Sequence, residues 1–199
     1  MTGGLRDLLE HRGEAPPAGG LRAMVPVDQR AAGDRLGLGN EITSLFVPLP
    51  VAEHDLADRY AAARAAAGRL KSGTEALGSR SVIDLIALAP PILHAAFARS
   101  LFATRLFNVT ITNVPGPQMT LYALGSRMRE VWPLVPLAAD HTVGVAMISC
   151  DGRLFFGVVA DRDVDDLDVL IDGIAGALRE LGELARRRPA RRREPAGAA

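Results

Sequence analysis

The stretch that decides the fold is Asn108-Val-Thr-Ile-Thr-Asn-Val-Pro-Gly-Pro117. Within it, Val109 and Ile111 alternate with polar residues, which is the period of two expected for a β-strand with one apolar and one polar face. The strand is predicted to stop at Asn113, and the Val-Pro-Gly-Pro segment that follows suits a type II turn with glycine at a positive φ angle. The polar face fits either a solvated sheet surface or one wall of a cleft.

A β-hairpin is predicted further along the chain, from two strands at residues 141–150 and 153–160. They are joined by Asp151-Gly152, a preferred pair for a two-residue type I′ turn. A register set by that turn places Ile148 opposite Phe155, and one face then carries the small residues Gly144, Ala146 and Gly157. The space above them must be filled, either by a packed helix, because glycine in a strand marks close approach of backbone, or by a thin apolar substrate chain.

The rest of the chain predicts helices and short strands around these two features. Helical periodicity covers residues 4–11, 53–71, 81–89 and 92–105, and Asp163 or Asp165 can cap a long final helix. The apolar stripe of the second helix is predicted to contain Leu56, Tyr60, Ala63, Ala67 and Leu70. Strands are predicted at 21–27, 42–49, 119–124 and 128–132, and the proline-rich segment 132–137 is predicted to cover the core as a fixed loop. This pattern indicates an α/β (α+β) fold, in which helices cover a mixed β-sheet.

Composition is typical of a globular protein without a nucleic-acid partner. The 199 residues are 48% apolar, and 23 basic residues balance 23 acidic ones, so no overall positive field attracts nucleic acid. Cys150 is the only cysteine, which excludes an internal disulfide or a multi-cysteine metal site and fits the cytoplasm. Residues 1–14 lack the apolar core of a secretory signal, and charges and prolines interrupt the apolar stretch 82–107, so it suits a membrane span poorly. Attachment to a membrane surface stays an alternative.

No catalytic residue is predicted from the motifs. Serine-hydrolase, phosphate-binding and dinucleotide-binding patterns do not occur. His54 and Asp58 have the spacing of His-x-x-x-Asp acyltransferases, in which the histidine is the general base. They lie where a helix is predicted to begin, however, and acidic residues there suit the helix dipole, so a helix entry is the favoured interpretation. His94 fits a core position, and His141 is the only histidine near the predicted cleft, with no nucleophile to activate.

Five segments together resemble one family of enzymes. They are Met24-Val-Pro-Val27, Gly39-Asn40 with Phe46-Val-Pro-Leu-Pro50, the stretch at 108–117, Trp132-Pro-Leu-Val-Pro-Leu137, and Ser149-Cys-Asp-Gly-Arg-Leu154 with residues 161–173. Over residues 5–185 the chain is similar to the C-terminal domain of bacterial wax ester synthase/diacylglycerol O-acyltransferases. The family often has other residues at Asp28, Thr112 and Cys150.

The resemblance implies one half of a chloramphenicol acetyltransferase-like, two-domain fold. In that fold acyl-CoA and an acceptor alcohol meet in a channel between the domains, and the catalytic His-His-x-x-x-Asp-Gly motif lies in the N-terminal domain. This chain has no His-His pair. Residues 1–185 are therefore expected to form an N-terminally truncated C-terminal-type domain, and residues 186–199 a disordered basic tail. No cofactor or metal is expected, since acyl-CoA is a substrate.

The resemblance also suggests which residues shape the acyl or CoA channel. They are Asn108, Thr110, Thr112, Asn113, His141, Gly144, Ala146 and Gly157. Two functions follow. One is the C-terminal half of an acyltransferase that forms triacylglycerol or wax esters once an N-terminal domain on a separate chain supplies the base. The other is a non-catalytic lipid-binding or interaction module left by truncation or gene fission. Homo-oligomerisation and attachment to the inner membrane face or a lipid droplet are further expectations.

Overall fold

The computed structural model describes residues 1–17, 20–28, 42–72 and 106–187. The elements, in chain order, are α1 (Thr2–His11), β1 (Leu21–Asp28), β2 (Ile42–Leu49), α2 (Leu56–Ser72), β3 (Val109–Pro115), β4 (Tyr122–Ala123), β5 (Ser126–Arg127), β6 (Val143–Cys150), β7 (Arg153–Ala160) and α3 (Leu167–Arg187). The helices predicted at 81–89 and 92–105, with His94, lie outside the described residues. No helix within these ranges has the length and apolarity to cross a bilayer.

Five strands form one mixed sheet in the order β2-β1-β3-β6-β7. The two central pairings, β1 with β3 and β3 with β6, are parallel, and the outer two are antiparallel. The stretch at 108–117 therefore supplies the middle strand of the sheet. The predicted mixed sheet with helices is confirmed.

The β6–β7 hairpin has the predicted register. Asp151 and Gly152 form its turn with φ angles of 49° and 72°, as a type I′ turn requires. Ile148 pairs with Phe155, and Ala146 pairs with Gly157. Two consecutive residues were sufficient to set the alignment of sixteen others, because the twist of this turn matches that of the strands it joins.

The predicted end of the central strand is wrong. β3 continues past Asn113 to Pro115 and stays paired with β6, where Pro115 lies opposite Ser149. Pairing of β3 with β1 ends at Thr110, so the proline lies where one side of the strand is already open, a position that tolerates a missing N–H. Gly116 has no positive φ angle; it is needed because a Cβ there would overlap the Ser149 carbonyl oxygen.

The main core lies between one face of the sheet and the helices α1 and α3. The buried residues of this core are Leu5, Leu8, Ala23, Val51, Val109, Val143, Val145, Leu170 and Ile174. The two helices touch at glycines: a Cβ on Gly4 would meet the carbonyl oxygen of Leu170, and one on Gly173 would lie 2.7 Å from Gly4 Cα. A second cluster joins α2 to the edge of the sheet through Leu45, Val47 and Ala66.

The helix α2 begins later than predicted, and its buried stripe differs from the prediction at Tyr60. The Asp55 carboxylate caps it by accepting a 2.9 Å hydrogen bond from the Asp58 N–H. Tyr60, predicted on the apolar stripe, is 52% exposed, whereas Leu56, Arg59 and Ala66 are buried. Ala67 and Leu70 pack on the second cluster as predicted, so the predicted stripe is wrong only at Tyr60, and Arg59 and Ala66 widen it because α2 contacts α3 as well as the sheet.

The remaining boundaries differ in detail. α3 begins after Asp166, whose carboxylate accepts a 2.6 Å hydrogen bond from Arg12, so the helix follows neither Asp163 nor Asp165 directly. It continues through Arg187, two residues into the predicted basic tail, and the rest of that tail lies outside the described ranges. Of the strand predicted at 119–124 only β4 is present, and the prediction of a strand at 128–132 is wrong, because β4 pairs instead with β5 across the turn at Leu124 and Gly125.

Candidate functional site

The predicted channel residues divide between the two faces of the sheet. Thr110 pairs with Gly144, and Thr112 pairs with Ala146, so these four residues lie on the face of the sheet that points away from α1 and α3. Asn113 pairs with Met147 and therefore lies on the opposite face, toward the end of β3. The structure brings most of these residues together, but it does not place them on one surface.

The small-residue face is filled by the proline-rich segment 132–137. A Cβ on Gly157 would overlap the Pro133 carbonyl oxygen and lie 2.9 Å from its carbonyl carbon. A Cβ on Gly144 would lie 3.0 Å from Val135 Cγ1. The predicted filling by a helix or by a substrate chain is therefore wrong at these two positions. The prediction that 132–137 is a covering loop is confirmed, since it has no helix or strand and lies against the sheet.

Asn108 joins two strands instead of facing a cleft. Its side-chain oxygen accepts a 2.9 Å hydrogen bond from the Arg22 N–H, and its own N–H donates to the Arg22 carbonyl at 2.8 Å. This reciprocal pair aligns the start of β3 with β1. Asn108 thus has a structural role that its place before an alternating strand did not reveal.

His141 is enclosed in the protein and bound through both ring nitrogens. The side chain is 6% exposed, its Nδ1 lies 2.8 Å from the Ala139 carbonyl oxygen, and its Nε2 lies 3.0 Å from the Phe107 carbonyl oxygen. The ring stacks on Phe107 at a centroid distance of 4.1 Å. Because both ring nitrogens are directed at carbonyl oxygens inside the protein, neither is directed at a substrate hydroxyl. His141 therefore fastens the start of β6 to the start of β3.

The accessible polar end of β3 consists of Thr112 and Asn113. Thr112 is half-buried and Asn113 is exposed, whereas Thr110 and Ala146 are buried. Val114, next along the strand, is 46% exposed and adds an apolar surface. Of the predicted channel residues, these two can contact a substrate without rearrangement of the described structure.

The turn after β3 is fixed by a hydrogen-bonded clamp. The Gln118 side chain donates to the Gly116 carbonyl at 2.9 Å and accepts from the Gly152 N–H at 3.1 Å. The Asp151 N–H donates to the Pro117 carbonyl at 3.1 Å. The type I′ turn of the hairpin thereby holds the end of β3 in a fixed position relative to β6 and β7.

A cleft that the sequence did not predict lies beyond the same end of β6. It has a volume of about 390 Å³, and its lining includes three arginines, two acidic residues and one aromatic: Arg127, Arg129, Arg153, Glu130, Asp151 and Phe155. Arg127 pairs with Asp151 at 3.1 Å, and Arg153 lies 4.8 Å above the Phe155 ring. Three arginines within 27 residues are visible in the sequence, but only the hairpin brings them together.

The His54 and Asp58 pair is a helix entry, as the sequence analysis favoured. His54 is exposed and contacts the Arg6 guanidinium, while the Asp58 N–H is bound by Asp55. Arg59, one residue later, was missed entirely. The sequence could have indicated that Arg59 is buried, because it stands at helical spacing on the inward side of α2, with Leu56, Ala63 and Ala66.

Comparison with known proteins finds relatives that all have names of the same enzyme family. A family model described as the WS/DGAT C-terminal domain matches residues 38–182. The probable diacylglycerol O-acyltransferase tgs1 of Mycobacterium tuberculosis is 30% identical over 199 residues, which are 98% of this chain and 43% of that protein. A putative diacylglycerol O-acyltransferase of the same species is 33% identical over 194 residues, with coverage of 94% and 38%.

The fold is shared with a solved structure of the same kind. The wax ester synthase/diacylglycerol acyltransferase from Marinobacter aquaeolei VT8 superposes with a TM-score of 0.68 at 21% identity, over 93% of this chain and 41% of that one. The chain thus spans about two fifths of the length of the relatives that it matches. By its family match and its sequence relatives, the chain belongs to the wax ester synthase/diacylglycerol acyltransferase family, of which it represents the C-terminal domain.

Proposed function

We propose that this domain forms one wall of an acyl-CoA-dependent O-acyltransferase that makes triacylglycerol or wax esters. The observation that carries the proposal is the family match over residues 38–182, combined with the accessible Thr112 at the end of the central strand. The base comes from the N-terminal half of the enzyme. In support, His141 and His54 are both engaged, and the sequence has no His-His pair.

The arginine-lined cleft supports a phosphorylated substrate. Guanidinium groups bind phosphate oxygens through paired N–H donors, and Arg153 is already held flat on an aromatic ring. Acyl-CoA carries phosphates at the end opposite its thioester. We therefore place the CoA nucleotide at Arg129 and Arg153, and the acyl transfer itself at the neighbouring end of β3.

Exposed apolar side chains support a partner surface on the same side of the chain. Seven large ones lie between residues 114 and 154: Val114, Met119, Tyr122, Leu124, Trp132, Leu134 and Leu154. Exposed large apolar side chains in such number are typical of an interaction surface. The N-terminal half covers it in the assembled enzyme, with a second copy of the chain as the alternative. A cytoplasmic assembly attached to the inner membrane face or a lipid droplet would bring it to its lipid substrates.

The test is acyl transfer from a long-chain acyl-CoA to diacylglycerol or a long-chain alcohol. The purified chain alone should show none, and turnover by it would refute the claim that its base lies elsewhere. Mixed with the separately expressed N-terminal half of tgs1, it should release CoA. Thr112→Val should then lower kcat/KM by about tenfold, whereas Thr142→Val, the same change at the exposed opposite end of the sheet, should have little effect.

A non-catalytic lipid-binding or interaction module is the second candidate. The exposed apolar patch favours it, because that patch could hold a lipid or a protein without any reaction. An upstream reading frame that encodes a His-His-bearing domain supports the acyltransferase, and binding of lipid without turnover in the reconstituted mixture supports the module.

A further inference from the structure

The outer edge of β7 is an unpaired edge of the sheet. Within the described residues, β7 pairs only with β6. This pairing continues at Asp161, whose N–H donates to the Thr142 carbonyl at 2.8 Å, so the odd-numbered residues of the strand bond to β6. The peptide groups of the alternate residues point outward: Leu154, Phe156, Val158 and Ala160. These residues are all exposed or half-buried, whereas Phe155 and Gly157 between them are buried.

This edge has none of the features that keep sheet edges from pairing. Proteins protect exposed edges with short strands, bulges, prolines or charged side chains. β7 instead pairs with β6 over eight residues without a bulge, contains no proline, and has Arg153 as its only charged residue. An edge of this length and apolarity is a template for a further strand.

Exposed apolar side chains of α3 flank the same edge. α1 contacts α3 at Gly173 and lies on the β2 side of the sheet, where the Arg6 Nη1 donates to the Val51 carbonyl at 3.3 Å. The opposite flank of α3 therefore faces β7. It carries Ile171 and Leu178, which are 42% and 40% exposed. A strand added to β7 would be covered on this face by the two apolar side chains.

The outward residues select one register for two antiparallel copies of β7. Antiparallel strands exchange hydrogen bonds between outward residues only. Every outward residue finds a partner when Leu154 of one copy lies opposite Ala160 of the other, and Phe156 lies opposite Val158. A shift of two residues in either direction leaves one outward residue of each copy without a partner in β7. The selected register also pairs an aromatic with a β-branched side chain, a favourable combination across strands.

The same register brings opposite charges together at both ends of the pair. Arg153 of one copy lies opposite Asp161 of the other. Neighbours in such a non-hydrogen-bonded position are about 4.5 Å apart at Cα, so the guanidinium can reach the carboxylate. Both residues are exposed, and neither forms an ion pair in the part of the chain that the structure describes. A second copy is therefore complementary to this edge in charge as well as in hydrogen bonding.

We propose that β7 pairs antiparallel with β7 of a second copy of this chain, about a two-fold axis at Gly157, and joins the two five-stranded sheets into one. The interface is isologous, because each copy contributes the same edge and the same flank of α3. The two α3 helices lie on one face of the joined sheet and bury Ile171 and Leu178 between them. Arg153 also lines the cleft proposed for CoA, so the dimer is a form of the chain without that substrate.

The first experiment measures the mass of the chain by sedimentation equilibrium. At a concentration of about 50 µM the unsubstituted chain should have twice the mass of one chain. Val158→Pro removes an outward N–H and should give a monomer, whereas the control Val158→Ala keeps that N–H and should stay dimeric. The proline variant should fold, because the lost N–H does not bond to β6 and Gly157 has no side chain to clash with the ring. A monomeric unsubstituted chain, or a dimeric Val158→Pro chain, overturns the proposal.

The second experiment reverses the charges at the ends of the pair. Arg153→Glu and Asp161→Arg each place like charges opposite each other twice per dimer, so each should weaken dimerisation by about tenfold or more. The double variant restores opposite charges and should dimerise within about threefold of the unsubstituted chain. The matched control is Arg162→Glu, the same change at a 94% exposed side chain outside the pair. A double variant that dimerises no more tightly than the single ones overturns the register.

The third experiment locates the interface by hydrogen exchange. The N–H groups of the outward residues should exchange about tenfold more slowly in concentrated than in dilute protein, because the second copy binds them. A dimer without this protection associates through another surface and overturns the proposal. A chain that stays monomeric but binds the N-terminal half of tgs1, and loses that binding with Val158→Pro, would assign the edge to that half and also overturn pairing with a second copy.

Discussion

Replacement of Gly157 by alanine should destabilise the domain more than any other single methyl addition to the β6–β7 hairpin. The added Cβ would overlap the Pro133 carbonyl oxygen and lie 2.9 Å from its carbonyl carbon, inside the 3.0 Å limit that real Cβ contacts respect. The obstacle is backbone, not the flexible end of a side chain. The segment 132–137 must therefore move away from the sheet by about 1 Å or more, with loss of its packing against Gly144.

The magnitude follows from that displacement. Overpacking of a rigid core costs about 1–3 kcal/mol, and a shifted proline-held backbone belongs at the upper end of that range. We expect Gly157→Ala to lower the free energy of unfolding by about 3 kcal/mol, or Tm by about 9 °C for a chain of this size. Gly144→Ala should cost about 1 kcal/mol, because the nearest atom, Val135 Cγ1 at 3.0 Å, belongs to a side chain that can rotate.

The assay is urea unfolding followed by circular dichroism, with Gly68→Ala as the control. Gly68 lies in α2, is exposed, and has no atom within 4 Å of an added Cβ, so alanine there should stabilise by about 0.5–1 kcal/mol. Gly157→Ala within about 0.5 kcal/mol of the unsubstituted chain would refute the packing of Pro133 over Gly157.

Two further predictions concern polar contacts. His141→Phe keeps the stacking on its aromatic neighbour but removes the ring nitrogens that contact the Ala139 and Phe107 carbonyl oxygens, so unfolding in urea should show a loss of about 1–2 kcal/mol. The same change at exposed His54 should cost less than about 0.5 kcal/mol. The hydrogen bond from Arg12 lowers the pKa of Asp166 below its ordinary value of 3.8. The contact therefore stabilises the folded chain at pH values above 3.8, and this stabilisation is lost as the pH falls below that value. The Tm difference between the unsubstituted chain and Asp166→Asn should therefore be clear at pH 7 and vanish in acid. A Tm difference that stays constant with pH would contradict a stabilising role for the Asp166 carboxylate. The control is Asp163→Asn, because the Asp163 side chain is 90% exposed.

Short-range patterns predicted the elements that a few neighbouring residues decide. Asp151-Gly152 specified the hairpin turn, and the turn specified the register of β6 against β7. Alternation of apolar and polar residues identified β3, and the motifs around it identified the family that the comparison confirms. The prediction from neighbouring residues was wrong at the end of β3. A Pro-Gly pair suits a turn, but here the parallel strand β6 stays paired with β3 as far as Pro115.

The sequence by itself therefore determined the mixed sheet, the hairpin, the covering loop and the family. Only the tertiary structure decided which polar residues remain available to contact a ligand. His141 is bound to a carbonyl 34 residues away, and Asn108 to a strand 86 residues away. Arg59 was buried by helices that meet only in the folded chain. The physical reason is that a side chain's burial and partners depend on contacts between distant segments, whereas turn geometry and strand period depend on neighbours.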